Sequence, residues 1–403
     1  MEYTESRLAD YREEDTKVGH GSIDIPFLLL TLLLLTIGVV MVLSASFARA
    51  YYSESTNHTA TYFFSRQLIF ALGGVAAMLF MSRLPIGLYR SLARLIMLAA
   101  VVLLLLVLVG GKRVNGSRRW FELAGVTFQP SEIAKIAVIL FEAQLVCKYK
   151  NKMKTFRYGV LPFAAVAGVI IGLLVLEPHL SASIIIIAIT IVMMFIGGTR
   201  LFWFLLAGGA VGLGGIIAVN VLEYSSDRIS AWLDPFADTS DTGYQIVQSL
   251  YAIGSGGLSG LGLGNGRQKY LYLPEEHNDF IFSVVCEELG FIGAALILIL
   301  FALLIARGFY LALHCRNRYS FLVCTGITAL LAIQVILNVA VVTNLVPCTG
   351  ISLPFFSYGG TALWLQLAEM GVILSISRDV PEKKFIRPRA KRPAQGEEAG
   401  AQA

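Results

Sequence analysis

The chain is built around apolar runs of about 20 residues, the length that a helix needs to cross the roughly 30 Å hydrocarbon core of a bilayer. We count ten such runs in 403 residues. They cover approximately residues 25–48, 62–82, 91–110, 130–147, 158–176, 180–197, 201–222, 279–306, 321–343 and 360–377. Because backbone polar groups in lipid must be satisfied within the segment, such runs predict helices. The sequence therefore predicts an all-α, polytopic integral membrane protein with about ten transmembrane helices.

Composition excludes the other broad classes. The chain is 56% hydrophobic and only 15% charged, values outside the range of soluble globular domains. Its net charge of +5 comes from scattered basic residues, not from a basic stripe with interleaved aromatics, so nucleic-acid binding is not indicated. The five cysteines lack CxxC spacing, which argues against a disulfide framework and against a zinc site.

The distribution of Lys and Arg predicts the orientation in the membrane, because basic residues favour cytoplasmic loops. With both termini inside, the inner segments hold about 22 of the 32 basic residues. We therefore expect a cytoplasmic tail at 1–24, a membrane domain at 25–378 and a basic, disordered cytoplasmic tail at 379–403. The acidic tail and long first run predict an uncleaved anchor, not a signal peptide.

Some basic residues run against this trend and lie on predicted outer loops. They are Lys112, Arg113, Arg118, Arg119, Arg228, Arg267 and Lys269. Cations at the outer face are available to bind an anionic ligand. For Arg118 and Arg119 the alternative is an ordinary solvated loop, and Trp120 beside them is as well explained as an interfacial anchor.

The first long outer loop, residues 111–129, leads into a helix. Its Asn115–Gly116 pair between alternating stretches predicts a small hairpin. Pro130 at the first helical position, followed by Glu132 in the first turn, predicts a helix start. Glu132 and Lys135 are three residues apart and can pair, so capping and pairing compete with a ligand-binding role for them.

The second outer loop, residues 223–278, is over 50 residues long, and loops of this length are usually functional or disordered. Its aromatic content argues for structure. Residues 245–253 have helical spacing suited to a segment along the membrane surface. The segment 254–266 holds seven glycines, which indicate a close-packed or flexible connector more than a phosphate loop, because no strand precedes them.

An acidic cluster ends this loop, at the mouth of the eighth predicted span. Asp279, Ser283 and Glu287 fall at i, i+4 and i+8, so a polar stripe enters the bundle on one helix face. A carboxylate at such a depth costs free energy and calls for a reason. Asp279 could act chemically or could cap the helix, a role that Asn278 could also fill. Glu287 is interpreted as a buried partner for another span.

Polar and proline-containing segments also interrupt the last two apolar spans. Asn338, Thr343, Asn344 and the run 347–360 break the apolar pattern there. Irregular backbone at membrane depth occurs only where it is buried in protein or lines a cavity. The sequence therefore predicts a cavity that opens to the outside.

Several strings together resemble one family, shape, elongation, division and sporulation (SEDS), or FtsW/RodA/SpoVE. The matching strings are Asn115–Trp120, Gln129–Glu132, Gln245–Tyr251 with Gly262–Gly264, His277–Phe282 with Glu287–Gly290, and Pro354–Gly360. The resemblance covers all ten predicted spans in the same order. The stretch Tyr270–Asp279 is more similar to the division and sporulation branch, FtsW/SpoVE, than to the elongation branch.

The resemblance implies a peptidoglycan glycosyltransferase that polymerises lipid II at the outer face of the bacterial cytoplasmic membrane. It implies a class B penicillin-binding protein as a partner, within the divisome or related wall-synthesis machinery. Asp279 matches the acidic residue regarded as essential in the family. One departure is Glu177–Ser181, where many members have an Asp and a Gly-Thr, so His179 is left out of the catalytic set.

The chemistry of the residues fits this activity independently. Inversion at the donor sugar in one displacement needs one base, for which Asp279 is the candidate. The leaving pyrophosphate needs its negative charge matched. Candidate substrate-binding residues are Lys112, Arg118, Arg119, Glu132, Lys135, Arg267, Lys269, His277 and Ser357. A divalent cation, Mg or Mn, could bridge the phosphates, although no ligands for it are identified. No organic cofactor is expected.

Two other classes of function compete with an enzyme. A lipid II flippase or other transporter would also have about ten spans and an intramembrane polar stripe. Against it, no inverted repeat is evident and the polar residues concentrate at the outer mouth. A scaffold that only recruits a partner synthase leaves Asp279 and the outer basic residues unexplained.

Overall fold

A bundle of apolar helices forms the protein in the computed structural model. The structure describes residues 21–114, 117–123, 126–206, 208–209, 232–237 and 243–380. Buried apolar side chains form a continuous core from Phe27, near the start of the first helix, to Ile376, near the end of the last. The predictions for residues 1–20 and 381–403, for the Asn115–Gly116 turn, for Arg228 and for most of the seventh span lie outside the described residues.

The described helices follow the predicted apolar runs closely. They are α1 (Ile25–Tyr52), α2 (Tyr62–Met81), α3 (Ile86–Gly110), α4 (Pro130–Tyr149), α5 (Phe156–Gly159), α6 (Leu161–Leu176), α7 (Leu180–Gly197), α8 (Tyr244–Gly256), α9 (Ile281–Leu313), α10 (Arg318–Val342) and α11 (Gly360–Ser377). Pro130 occupies the predicted first position of α4. Three short strands lie between α3 and α4: β1 (Lys112–Val114), β2 (Ser117–Leu123) and β3 (Val126–Phe128).

Eight segments in the described part of the chain are long and apolar enough to cross a membrane, α5 and α6 counting as one. This confirms the predicted class, a multi-pass membrane protein. The helix α4 is not among the eight and carries Glu132, Lys135 and Glu142. Helical turns at 201–206 and 208–209 begin the seventh predicted span. The count of ten spans stays a prediction.

Ion pairs at opposite ends of α1 show that it runs antiparallel to α9. Near the end of α1, the guanidinium of Arg49 pairs with Glu276, just before α9 begins, with Nε 2.8 Å from Oε1. At the other end, Asp24 precedes α1 and pairs with Arg307 late in α9, with Oδ2 2.6 Å from Nη2. The start of α9 therefore lies beside the end of the first span.

The helix α9 is interrupted at Gly290, whose φ is 65° and ψ −171°. The interruption frees two carbonyls and two N–H groups, which bond to the glycine-rich segment 254–266. These hydrogen bonds run from Leu261 N to Glu287 O, from Gly262 N to Glu288 O, from Phe291 N to Gly257 O and from Ile292 N to Leu258 O. A β-carbon at Gly290 would lie 2.3 Å from Gly260 N, so this contact requires glycine. The close-packed interpretation of the segment is supported.

The first predicted outer loop contains a three-stranded antiparallel sheet in the order β1-β2-β3, one strand more than the predicted hairpin. Lys112 faces Trp120 in the first pair of strands, and Phe121 faces Phe128 in the second. Thr361, at the start of α11, donates its hydroxyl hydrogen bond to the carbonyl of Thr127 at 2.9 Å. The sheet therefore contacts the start of α11.

The predicted amphipathic segment 245–253 is part of α8. Its buried face, which includes Ile246 and Val247, packs against α9. Ser249 Oγ lies 2.7 Å from Ser283 Oγ and donates to the carbonyl of Val342 at 2.7 Å. This part of the long outer loop is therefore packed onto the bundle.

Candidate active site

Residues 274–280, which we name the Asp279 turn, connect the long outer loop to α9. Three consecutive carbonyl groups of the turn accept hydrogen bonds from the segment that joins α10 to α11 and from α10 itself. The donors are Tyr358 N to His277 O, Ser357 Oγ to Asn278 O and Asn338 Nδ2 to Asp279 O, each at 2.8 Å. The backbone of the turn is thereby fixed without using the carboxylate of Asp279.

The Asp279 carboxylate is partly buried and makes no hydrogen bond or ion pair with the described part of the chain. Gly350 lies against it, since a β-carbon on Gly350 would be 2.9 Å from Asp279 Oδ2. Burial, with a smaller contribution from Glu275, raises the pKa of Asp279 to about 6, while His277 opposes the rise. The result is a positioned carboxylate that can accept a proton near neutral pH.

The helix-capping interpretation of Asp279 and Asn278 is wrong. The residue that precedes α9 is Phe280, and no side chain caps this helix end. The amide of Asn278 instead donates to the Glu275 carboxylate at 2.6 Å. Capping therefore does not account for Asp279.

Below Asp279, the predicted polar stripe serves the packing of the outer loop. Glu287 is fully buried, and its Oε1 accepts from the backbone N–H groups of Arg267 at 2.8 Å and Gln268 at 3.2 Å. Its partner is therefore the loop and not another span, which corrects the prediction. Ser283 contacts Ser249 of α8.

His277 and Ser357, two candidate binding residues, are buried beside the Asp279 turn. The ring centroid of His277 lies 4.7 Å from that of Phe63 and 5.8 Å from that of Tyr358. Its Nδ1 is 3.7 Å from Glu276 Oε1. Ser357 Oγ also accepts from the N–H of Leu353 at 2.7 Å. Both side chains are therefore held beside the turn by contacts within the protein.

Three of the five lysine and arginine candidates on the predicted outer loops have different surroundings. Lys269 was expected to be available to an anion, and this expectation is wrong: it is buried, with Nζ 2.7 Å from Glu288 Oε1 and 3.1 Å from Ser44 Oγ. Arg267 is exposed, and its side chain has no partner in the described ranges. Lys112 is exposed and pairs with Glu122 at 2.6 Å.

Arg118 and Arg119 bond to carbonyls at helix ends, so neither is a solvated loop residue. Arg118 Nη1 donates to the carbonyls of Leu108 and Val109, in the last turn of α3. Arg119 donates to the carbonyls of Glu177 and Pro178, just after α6. Cations at helix C-termini are favourable because carbonyls without intrahelical partners lie there. Together the two arginines connect the ends of α3 and α6.

Glu132 and Lys135 form the predicted ion pair, with Lys135 Nζ 2.7 Å from Glu132 Oε2. Both side chains are largely shielded from solvent, which fits charges carried at membrane depth. His179 lies nearby, with its Nε2 3.4 Å from Gln129 Nε2. Burial lowers the pKa of His179 to about 3, so it is neutral at pH 7. It contributes no charge to the site.

Sequence reasoning missed Arg49 and Gly350 as neighbours of the Asp279 turn. Arg49 had the same signal as the outer arginines, because it is a basic residue at the outer end of a predicted span. Gly350 gave no signal, since its contact with Asp279 exists only in the tertiary structure.

The described residues include no group of three or more His, Cys, Asp or Glu side chains arranged to hold a metal ion. The divalent cation, for which no ligands were identified, stays a prediction.

The fold and the site together define a multi-pass membrane protein with a positioned carboxylate at one end of its helical bundle. The chain belongs to the FtsW/RodA/SpoVE family of cell cycle proteins, whose sequence profile matches residues 25–382. The family predicted from the sequence strings is therefore confirmed.

Two relatives are similar to the chain over most of its length. Stage V sporulation protein E of Bacillus subtilis is 42% identical over 358 residues, which cover 88% of this chain and 97% of the relative. A protein of Trichlorobacter lovleyi named probable peptidoglycan glycosyltransferase FtsW is 41% identical over 358 residues, or 88% of this chain and 93% of the relative. Both names support the predicted FtsW/SpoVE branch, and the name of the Trichlorobacter lovleyi relative supports the predicted class of enzyme.

Solved structures share the fold. A chain of a peptidoglycan synthase complex that coordinates polymerization and crosslinking superposes with a TM-score of 0.73 at 29% identity, covering 89% of this chain and 99% of that one. Rod shape determining protein RodA of Thermus thermophilus gives a TM-score of 0.66 at 28% identity, covering 89% of this chain and 97% of RodA. The predominantly helical membrane fold is thus the fold of the family.

Proposed function

We propose that this protein is a peptidoglycan glycosyltransferase that polymerises lipid II by inverting glycosyl transfer, with release of undecaprenyl pyrophosphate. The observation that carries the mechanism is the Asp279 carboxylate, which is held in place by its backbone and left without a side-chain partner in the described ranges. The name of the Trichlorobacter lovleyi relative supports the reaction class. The role belongs to cell division or sporulation.

In the proposed step, the oxygen of the acceptor 4-hydroxyl attacks the anomeric carbon of the donor sugar, and Asp279 accepts the proton of that hydroxyl. The bond from that carbon to the pyrophosphate oxygen breaks, and the pyrophosphate leaves with the electron pair. A base in position typically contributes about 10²–10⁴ in rate. A second carboxylic acid is not required, because pyrophosphate is already a good leaving group.

The negative charge on the leaving pyrophosphate needs cations nearby. Arg267 is the most available of the candidates, because its exposed guanidinium has no partner in the described ranges. Arg118, Arg119, Lys112 and the Glu132–Lys135 pair already have partners within the protein. We propose them as secondary contacts, with a divalent cation as a further way to match the phosphate charge.

The orientation and partners are also part of the proposal. We propose that both termini lie in the cytoplasm and the Asp279 turn outside, which the positive-inside count supports. Lipid II would keep its polyprenyl tail in the bilayer, beside the spans. The structural similarity to a peptidoglycan synthase complex supports a wall-synthesis partner, and we propose a class B penicillin-binding protein.

The function can be tested with the full-length protein purified in detergent together with its penicillin-binding protein. We expect lipid II to be converted into glycan chains, detected by gel electrophoresis of labelled polymer. Polymerisation needs no sealed bilayer, whereas translocation does. Lipid II movement in sealed vesicles without any polymer in detergent would support a flippase and contradict the proposal.

The raised pKa of Asp279 predicts the pH dependence of the reaction. A base must be ionised to accept a proton, so kcat/KM should rise with pH below about 6 and level off above it, since the pKa of Asp279 is about 6. The measurement is kcat/KM for lipid II between about pH 5 and 8. A profile that stays flat down to about pH 5 would show that a group with an ordinary carboxylate pKa controls the rate.

A further inference from the structure

The Asp279 turn is tied to the first span by a forked ion pair. Arg49, in the last turn of α1, donates from Nε to Glu276 Oε1 at 2.8 Å and from Nη2 to Glu276 Oε2 at 2.9 Å. Glu276 is fully buried, whereas the Arg49 side chain is 33% exposed. Two parallel hydrogen bonds of this kind fix an orientation as well as a distance.

The backbone of this region needs such restraints. Glu275 within the turn has a φ of 54°, and Leu271 just before it has a φ of 68°. Non-glycine residues hold this left-handed conformation only when the surrounding structure imposes it. The carbonyl bonds to Asn338, Ser357 and Tyr358 hold one side of the turn. The Arg49 fork holds it from the side of α1.

The charges of the turn also depend on Arg49. Three carboxylates, those of Glu275, Glu276 and Asp279, occur within five residues. Burial alone would raise the pKa of Glu276, but His277 and Arg49 outweigh it and hold that pKa below its usual range. Without Arg49, Glu276 would be a buried carboxylate with no arginine partner, and such a group favours a local rearrangement.

We infer that Arg49 is a positioning residue for Asp279: through Glu276 it sets the place of the turn that carries the base. This inference rests on the proposed function. Arg49 acts through Glu276 and not by contact with the reacting atoms, so its loss should lower kcat more than it changes KM.

The structure supplies a matched control. Arg307 forks onto Asp24 at the other end of the same two helices, with Nε 3.0 Å from Oδ1 and Nη2 2.6 Å from Oδ2. Its side chain is also 33% exposed. Arg307→Met therefore removes an equivalent ion pair between the same two helices, far from the Asp279 turn.

The experiment compares four proteins: the wild type, Arg49→Met, Arg307→Met and the double variant that carries both Arg49→Met and Glu276→Gln. Each is purified with the partner, and its rate is divided by the amount of folded protein. A displacement of about 1 Å can cost about 10²-fold, so we expect kcat to fall by about that factor in Arg49→Met with little change in KM. Arg307→Met should stay within about twofold. The double variant should recover about tenfold, because it no longer buries an unpaired carboxylate.

Amide hydrogen exchange gives a readout that does not depend on activity. The N–H of Asn278 bonds to Glu275 O and that of Tyr358 to His277 O. Both should exchange faster in Arg49→Met and at the wild-type rate in Arg307→Met. Equal effects of the two arginine variants on kcat and exchange would overturn the inference, as would a raised KM at unchanged kcat. An inactive wild type would instead contradict the proposed function.

Discussion

Replacing Asp279 by Asn is expected to abolish glycan polymerisation while the protein still folds. Asn keeps the shape of the side chain but cannot take the proton of the acceptor hydroxyl. The backbone carbonyl of Asp279, which holds the turn through Asn338 at 2.8 Å, is unaffected by the change. The loss of a positioned base should lower kcat by about 10²–10⁴. The measurement is the rate of polymer formation from lipid II in detergent with the partner present.

The control for this prediction is Asp234→Asn. Asp234 lies in the same outer loop and is exposed, so its change should leave the rate unaltered. Folding of both variants is checked by gel filtration and thermal unfolding. Asp279→Glu should also be impaired, because an added methylene moves the carboxylate from the position that the fixed backbone of the turn gives it. Polymerisation by folded Asp279→Asn at a rate near that of the wild type would remove the proposed base.

The largest effect on stability is expected from Lys269→Met. The ammonium of Lys269 and the carboxylate of Glu288 are 2.7 Å apart, with side chains that are 2% and 0% exposed. Glu288 also accepts from Ser44 Oγ at 2.7 Å and from Gly264 N at 3.0 Å. Removal of one partner of a buried pair costs about 3–5 kcal/mol, because it leaves the other charge uncompensated. The measurement is the apparent melting temperature in detergent.

Lys112→Met is the matched control for stability. Its pair with Glu122 is as short, 2.6 Å, but the two side chains are 54% and 44% exposed. Exposed pairs contribute at most about 1 kcal/mol, so its melting temperature should change little. Adding Glu288→Gln to Lys269→Met should restore part of the lost stability. A similar loss in Lys269→Met and Lys112→Met would show that burial does not set the contribution of this pair.

Much of the fold could be predicted because the membrane imposes a simple rule on the sequence. Apolar length alone placed the helices, and α2, α7 and α11 begin and end within one residue of the predicted limits. The polar helix α4 was found as well, because Pro130 marks its start. The third strand of the outer loop was missed, since a three-residue strand such as β3 carries too short an alternation to be recognised.

The site was predicted unevenly. The Glu132–Lys135 pair could be identified from local spacing, which also determines its geometry in a helix. For Asp279, spacing left capping and chemistry open, and its proposed role came from the family resemblance; the residue precedes α9 and is not part of that helix. The burial of Lys269 could not be identified, because it depends on Glu288 of α9 and on Ser44 of α1, 225 residues away in sequence. Arg118 and Arg119 likewise bond to helix ends that only the tertiary structure brings near. Loop charges are therefore a poor guide to which cations are free.

The hydrogen bonds around the interruption of α9 at Gly290 restrict changes of length in two separate stretches of the sequence. Four backbone hydrogen bonds join the segment from Gly257 to Gly262 with the residues on either side of Gly290. A residue inserted within one stretch would shift some of these donors away from their acceptors in the other. Homologous chains should therefore vary in length before Gly254 or after Gln268, and keep the spacing within the 257–268 segment constant.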